Sequence, residues 1–211
     1  MIQYSLIMKN SYSMSDRIFF EGIEPSDYIG KLRNYRSLVR RLLKDVKADD
    51  NHVAIISGVV SKESKQLKAT ALTEDWCGDW ICNLPLLNDL FLRTGISFRI
   101  FRGTEHKELK EYYEEDGTDH IPVISLWDSD GREVVRWVEA PEKIQELKKK
   151  WKERNPSLMM LYAKQREDKT AAREFAKLYR QFLEEMADWY QADGFWGETS
   201  GEISDMLRKA L

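Results

Sequence analysis

An α/β fold, with helices flanking a central mixed β-sheet, is predicted by three features of the sequence. The short apolar run Leu67 to Leu72 gives way, within a few residues, to a helical pattern that opens at Trp76-Cys77-Gly78-Asp79. Ile96 to Phe101 then alternates as a strand does, which completes a strand, helix, strand unit. Further on, His120 to Trp127 and Glu133 to Val138 flank Asp128-Ser129-Asp130-Gly131, which reads as an antiparallel hairpin whose turn glycine supplies positive φ.

The remaining elements follow in chain order. Residues 1 to 15 are polar and aperiodic and read as a frayed end. From Ser26 the spacing of Ile29, Leu32, Tyr35, Val39, Leu42 and Val46 predicts one continuous helix, with Asp27 in its first turn. Arg33, Arg36, Arg40, Arg41 and Lys44 fall mostly outside that stripe and read as a solvated face rather than an anion site. Asp49-Asp50-Asn51 stops this helix and caps another over His52 to Val60, although the β-branched residues there also suit a strand. In the helix after Cys77, Leu84, Leu87, Leu90 and Leu92 are expected on one buried face, and Thr94-Gly95 is its stop. Glu105 to Glu115 predicts a short charged helix, and Pro141 opens another through Lys150, where a missing N–H costs least.

Beyond Asn155-Pro156, aromatic and aliphatic residues from Phe175 to Tyr190 recur at helical spacing. They predict a long amphipathic helix docked on the core or on the N-terminal helix, a packing face rather than a binding groove. Gly194-Phe195-Trp196-Gly197 and a helical tail from Thr199 to Leu211 follow, the Phe-Trp pair serving to cover the core or, if exposed, as a contact surface. The chain therefore divides into an N-terminal helical extension (1–64), a core (65–155) and a C-terminal helical extension packed on that core (156–211).

Composition narrows the function. The 211 residues are 42% hydrophobic and contain no run long enough to span a bilayer. The first residues lack a basic opening, a sustained apolar stretch and a small-residue cleavage site, so a cytoplasmic protein is expected. A net charge of −3 with 33% charged residues leaves no concentrated basic face for nucleic acid. Two cysteines cannot staple a chain of this size, and in a reducing compartment they read as catalytic, redox or buried thiols. His52, His106 and His120 show no metal-ligand spacing with each other or with the cysteines, so neither a metal nor another cofactor is expected.

A strand leading into Trp76-Cys77-Gly78, a helix, and a later Ile121-Pro122 before a strand hairpin resemble the thioredoxin family. Its active site reads W-C-G-P-C and faces an invariant cis-proline. The resemblance covers roughly residues 65 to 155 and is nearest to a branch reading W-C-G-D and then N-L-P, as Asn83-Leu84-Pro85 does. Trp80 stands where thioredoxin keeps its second cysteine. The resemblance implies a thioredoxin-like fold extended by helices at both ends, with Pro122 cis and the Ile121 backbone beside Cys77, open to an extended substrate. An ordinary trans proline at an edge strand is the alternative. By the same resemblance Trp76, Gly78, Asp79 and Trp80 would border the substrate, with Asp79 in the place of the family's proline. An iron–sulfur role of the single-cysteine glutaredoxin kind lacks its C-G-F-S signature.

Dithiol exchange needs an attacking thiolate and a second thiol to resolve the mixed disulfide. Cys77 and Cys82 are five residues apart, a helical rotation about 140° out of alignment with Cα atoms roughly 8–9 Å apart. A bridge without backbone movement reaches only about 7 Å, so Cys82 reads as a buried bystander before it reads as a resolving thiol. Cys77 at a helix start gains from the helix dipole, about 0.3–1 kcal/mol. The carboxylates of Glu74, Asp75 and Asp79 would each take back about 0.5 kcal/mol at ~8 Å in a water-like medium. Two functions follow: a thiol–disulfide oxidoreductase acting through Cys77 alone on mixed disulfides between a protein and a low-molecular-weight thiol, or a redox-inactive thioredoxin-fold module that binds a protein partner. Oligomeric state stays open at this point.

Overall fold

The computed structural model describes residues 12–32, 34–62 and 66–211. Ten helices and four strands are formed there: α1 (Asp16–Glu21), α2 (Pro25–Lys31), α3 (Arg36–Asp45), α4 (Asp50–Lys62), β1 (Lys68–Thr73), α5 (Gly78–Thr94), β2 (Ser97–Arg102), α6 (Lys107–Glu115), β3 (Val123–Trp127), β4 (Glu133–Val138), α7 (Glu142–Arg154), α8 (Ser157–Lys164), α9 (Lys169–Gln191) and α10 (Trp196–Ala210). The sheet order is β2-β1-β3-β4. β1 and β2 run parallel across α5, while β1 with β3 and β3 with β4 run antiparallel. The mixed sheet read from the sequence is the one formed.

Side chains alternate across this sheet as the strand period of two requires. Ala69, Ala71, Ile124 and Leu126 join the larger core, which α3, α4, α5, α7, α9 and α10 also build. Leu72, Val123 and Trp127 point the other way, into a smaller core with Phe19 of α1 and Leu109 and Tyr113 of α6. The small residues Ala69 and Ala71 let α5 lie close against the centre of the sheet. Ile23, just past α1, forms an antiparallel bridge with Ile100 and shields the outer edge of β2.

Two expectations about the N-terminal part change. Residues 12 to 15 are not frayed: the Met14 N–H donates to the Gly131 carbonyl at 2.9 Å and Met14 is buried. Residues 1 to 11 and Arg33 lie outside the described residues. The helix expected from Ser26 is two helices, because Leu32 turns extended and Tyr35 sits in the left-handed region at φ 59. The break re-aims the chain so that Tyr28 and Leu32 on one side, and Leu38, Val39 and Leu42 on the other, can all be buried. By contrast, the helix over His52 to Val60 is formed as α4, and Asp49 Oδ1 accepts from the Asn51 and His52 N–H groups at its start.

α5 is the element that positions the site. Gly95, at φ 71, ends it, with the Ile96 N–H returning to the Phe91 carbonyl at 3.0 Å. Leu84, Leu87 and Leu90 are buried as expected, but Leu92 is exposed, because Phe91 takes the inward position in that turn. α7 starts one residue later than expected, with Pro141 just outside it. No helix among the described residues is long and apolar enough to cross a membrane.

Candidate functional site

β1 ends at Thr73 and a tight turn, closed by the Cys77 N–H donating to the Glu74 carbonyl at 3.0 Å, delivers Cys77 to the N-cap of α5. The Ile121-Pro122 peptide bond is cis. The Cys77 thiol donates to the Ile121 carbonyl, with Sγ 3.4 Å from the oxygen. Cys77 and the Ile121-Pro122 corner, 44 residues apart in sequence, are thus brought together. Both cysteines are free thiols.

The electrostatics differ from the balance drawn on sequence alone. Glu74 turns away to accept from the Thr104 N–H at 2.7 Å, and Asp75 accepts from Arg102 Nε at 2.9 Å. Burial instead dominates: Cys77 is only 5% exposed, and its thiol is pushed up to about 12, first by desolvation and then by Asp79. The Trp80 N–H, the Lys148 ammonium and the Asp79 N–H oppose the shift without reversing it. At neutral pH the resting site holds a thiol, not a thiolate.

Asp79 is itself buried, and burial raises its carboxyl against the opposition of Lys148. Lys148 Nζ donates to Asp79 Oδ2 at 2.6 Å and to Glu139 Oε1 at 2.7 Å. Desolvation alone would lower the lysine, but the two carboxylates outweigh it and keep it charged. Glu139 sits in the left-handed region at φ 65, and its N–H donates to the Pro122 carbonyl at 2.8 Å, tying this ionic cluster to the proline corner. Asp79 Oδ1 has no hydrogen-bond partner among the described residues. Lys148 and Glu139 were absent from the residues singled out by sequence. A signal existed for Lys148, which falls at i+4 and i−3 from buried Ile144 and Trp151 on the inward stripe of α7.

The other expected residues separate. Trp76 is exposed beside the thiol, and Gly78 begins α5 directly after it. Trp80 borders no groove: it is fully buried between Tyr28 and Phe98, because it lies on the inward face of α5. Cys82 is also fully buried, its thiol raised well above the ordinary range by burial. Asn83 donates to the Asp79 carbonyl and to Tyr190 Oη and accepts from Thr199 Oγ1, each at 2.9 Å, so it wires α5 to both C-terminal helices. Trp196 is buried and donates to the Cys82 carbonyl at 2.9 Å, which makes the Phe195-Trp196 pair a covering element. Exposed His120 pairs with Asp119.

α9 lies over the start of α5. Tyr179 Oη donates to the Trp76 carbonyl at 3.1 Å. A Cβ placed on Gly78 would meet Leu183 Cδ2 at 2.7 Å, Met186 Cε at 2.9 Å and Tyr179 Oη at 3.1 Å, so glycine is what lets α9 approach. No group of three His, Cys, Asp or Glu side chains that could hold a metal occurs among the described residues.

The sequence matches the family described as thioredoxin over residues 22–152. None of the curated proteins matches it. Among solved structures, a protein of unknown function from Pseudomonas aeruginosa is similar at 14% identity and a TM-score of 0.58, over 94% of this chain and 99% of that one. An HIV epitope scaffold is similar at 14% identity and a TM-score of 0.56, over 94% and 100%. Both likenesses are of fold, and their coverage takes in most of the helical extensions as well as the sheet. With more than half its length matched by the family, and with the fold that family implies, the chain belongs to the thioredoxin family.

Proposed function

We propose that this protein is a thiol–disulfide oxidoreductase acting through Cys77 alone on mixed disulfides between a protein and a small thiol. The observation that carries the reading is the placement of the Cys77 thiol at the start of α5, 3.4 Å from the Ile121 carbonyl at the proline corner. Cys77, once deprotonated, attacks the small-thiol sulfur of the mixed disulfide. A Cys77 to small-thiol disulfide forms and the protein thiolate leaves, taking up a proton. A second small thiol then attacks as its thiolate, the small-molecule disulfide departs, and Cys77 returns as a thiolate. Cys82 takes no part, being fully buried one and a half turns along the helix.

Burial of the resting thiol favours a second reading, a redox-inactive binding module on the same fold. Turnover of a glutathione-capped peptide by the full chain, with glutathione as reductant, separates the two. The exchange reading expects turnover that Cys77→Ser abolishes and Cys82→Ser preserves, together with a trapped Cys77–glutathione adduct detectable by mass. Absence of both turnover and adduct in the wild type, including in forms whose Cys77 is demonstrably accessible, leaves the binding module.

A further inference from the structure

The contact between α9 and the start of α5 has no role in the exchange chemistry, yet it falls on Trp76 and Gly78, the residues on either side of Cys77. We propose that α8 and α9, through the Tyr179 and Leu183 contacts, form a built-in cover that keeps Cys77 latent and lifts, without unfolding the core, to admit a disulfide. The inference rests on the exchange reading for its purpose but not for its geometry.

Two observations carry it. The cover is fitted: Tyr179 bonds the Trp76 backbone, and Leu183 and Met186 rest on the face of Gly78 where any side chain would stand. Positions 179, 183 and 186 are one face of a helix, but Leu183 and Met186 belong to the part of α9 packed into the core, so the stretch that lifts ends at Tyr179 and turns on Leu183. The cover is also unevenly held. Its distal part, α8 and the first turns of α9, fully buries only Leu158, Leu161 and Ala171, rests Phe175 and Leu178 half-buried on the core, and leaves Met159, Met160 and Tyr162 exposed. From Phe182 to Tyr190 the helix is instead packed into the core and tied to Asn83. A segment with few buried apolar contacts is the kind that opens at small free-energy cost while the rest stays folded. Tyr179 and Leu183 stand where the loosely held part meets the anchored part.

Site-resolved alkylation of the full chain by iodoacetamide, in urea below the unfolding transition, tests this, with Cys82 as an internal reporter of global unfolding. In the wild type Cys77 should label more slowly than in the unfolded chain, with a weaker urea dependence than Cys82. Tyr179→Phe, which loses one hydrogen bond, should speed Cys77 labelling about threefold. Leu183→Ala should speed it about tenfold or more, and Cys82 labelling at least as much, because global unfolding frees all of the Leu183 packing that the opening frees. Labelling of wild-type Cys77 at the unfolded-chain rate would overturn the cover. So would equal urea dependence at the two cysteines, which means that only global unfolding exposes Cys77. Glutathione-capped peptide turnover in the same variants keeps the two ideas apart: an uncovered Cys77 that forms no adduct defeats the exchange reading and leaves the cover intact.

Discussion

Two clusters of charge, one half-buried and one built on the buried pair Asp79 and Lys148, sit on opposite faces of the sheet, and they are finished to different degrees. Behind β4, the Glu133 carboxylate accepts from Ser125 Oγ, Tyr112 Oη and both Nε and Nη2 of Arg136, while Arg136 also reaches Asp116 and Thr118. The rings of Tyr112 and Tyr113 flank the guanidinium at 5.2 and 4.9 Å. Beside Cys77, one ammonium serves two carboxylates, and Asp79 Oδ1 is left over. A satisfied network fixes a packing arrangement; an unsatisfied one keeps a carboxylate under strain. The incomplete cluster is the one next to the thiol.

The comparison breaks most readily at Lys148. Lys148→Met removes the one cation bonded to both Asp79 and Glu139, leaves Asp79 only the unbonded Lys152 nearby, and should cost about 3–5 kcal/mol in urea unfolding. A cost below about 1 kcal/mol would show that Asp79 simply takes up a proton and that the lysine is dispensable. At the finished cluster the loss should be milder: Glu133→Gln keeps the shape and part of the hydrogen bonding, and Arg136 retains Asp116, so about 2 kcal/mol is expected by the same measurement. A larger loss than at Lys148 would reverse the ranking of the two clusters.

The smallest effect, read over the single pH unit from 9 to 10, is one of titration. Folding raises Cys77 from an ordinary 9.0 to about 12, and raises Lys148 above its ordinary 10.5. The folded chain therefore keeps protons that the unfolded chain gives up. Their contribution to stability is complete below pH 9 and is lost as pH rises toward 12. Cys77→Ala removes one titrating group and should flatten the lower part of this limb by up to about 1.4 kcal/mol per pH unit. An unaltered slope between pH 9 and 10 would mean that the folded chain does not shield this thiol.

What the sequence made legible was local. The strands announced themselves by alternation, α5 by its spacing and its glycine stop, and the mismatch of Cys77 with Cys82 by simple counting along a helix. α1 was missed because its six residues carry almost no periodic signal and are held by Phe19 lying under Arg99 and Lys68. The break at Tyr35 is set by what the two halves must bury, not by a proline or glycine at that point. At the site, the cysteine and the proline corner could be read in advance. The burial of Cys77 could not, since the helix packed on the neighbouring Gly78, through Tyr179, Leu183 and Met186, lies more than a hundred positions away. Nor did the charges of Glu74 and Asp75 reveal that each had a partner elsewhere.

The exposure of Trp76 has an optical consequence. Of the seven tryptophans, Trp189 is half-buried, Trp76 is 61% exposed and the other five are buried. Trp76 directly precedes Cys77 in the chain, and its own carbonyl is the group that Tyr179 holds. A quencher confined to water, such as iodide, therefore samples chiefly this one indole, and the fluorescence it removes comes from the surface around the thiol. The chain carries, without any label, a chromophore at the point where its two candidate activities would have to be told apart.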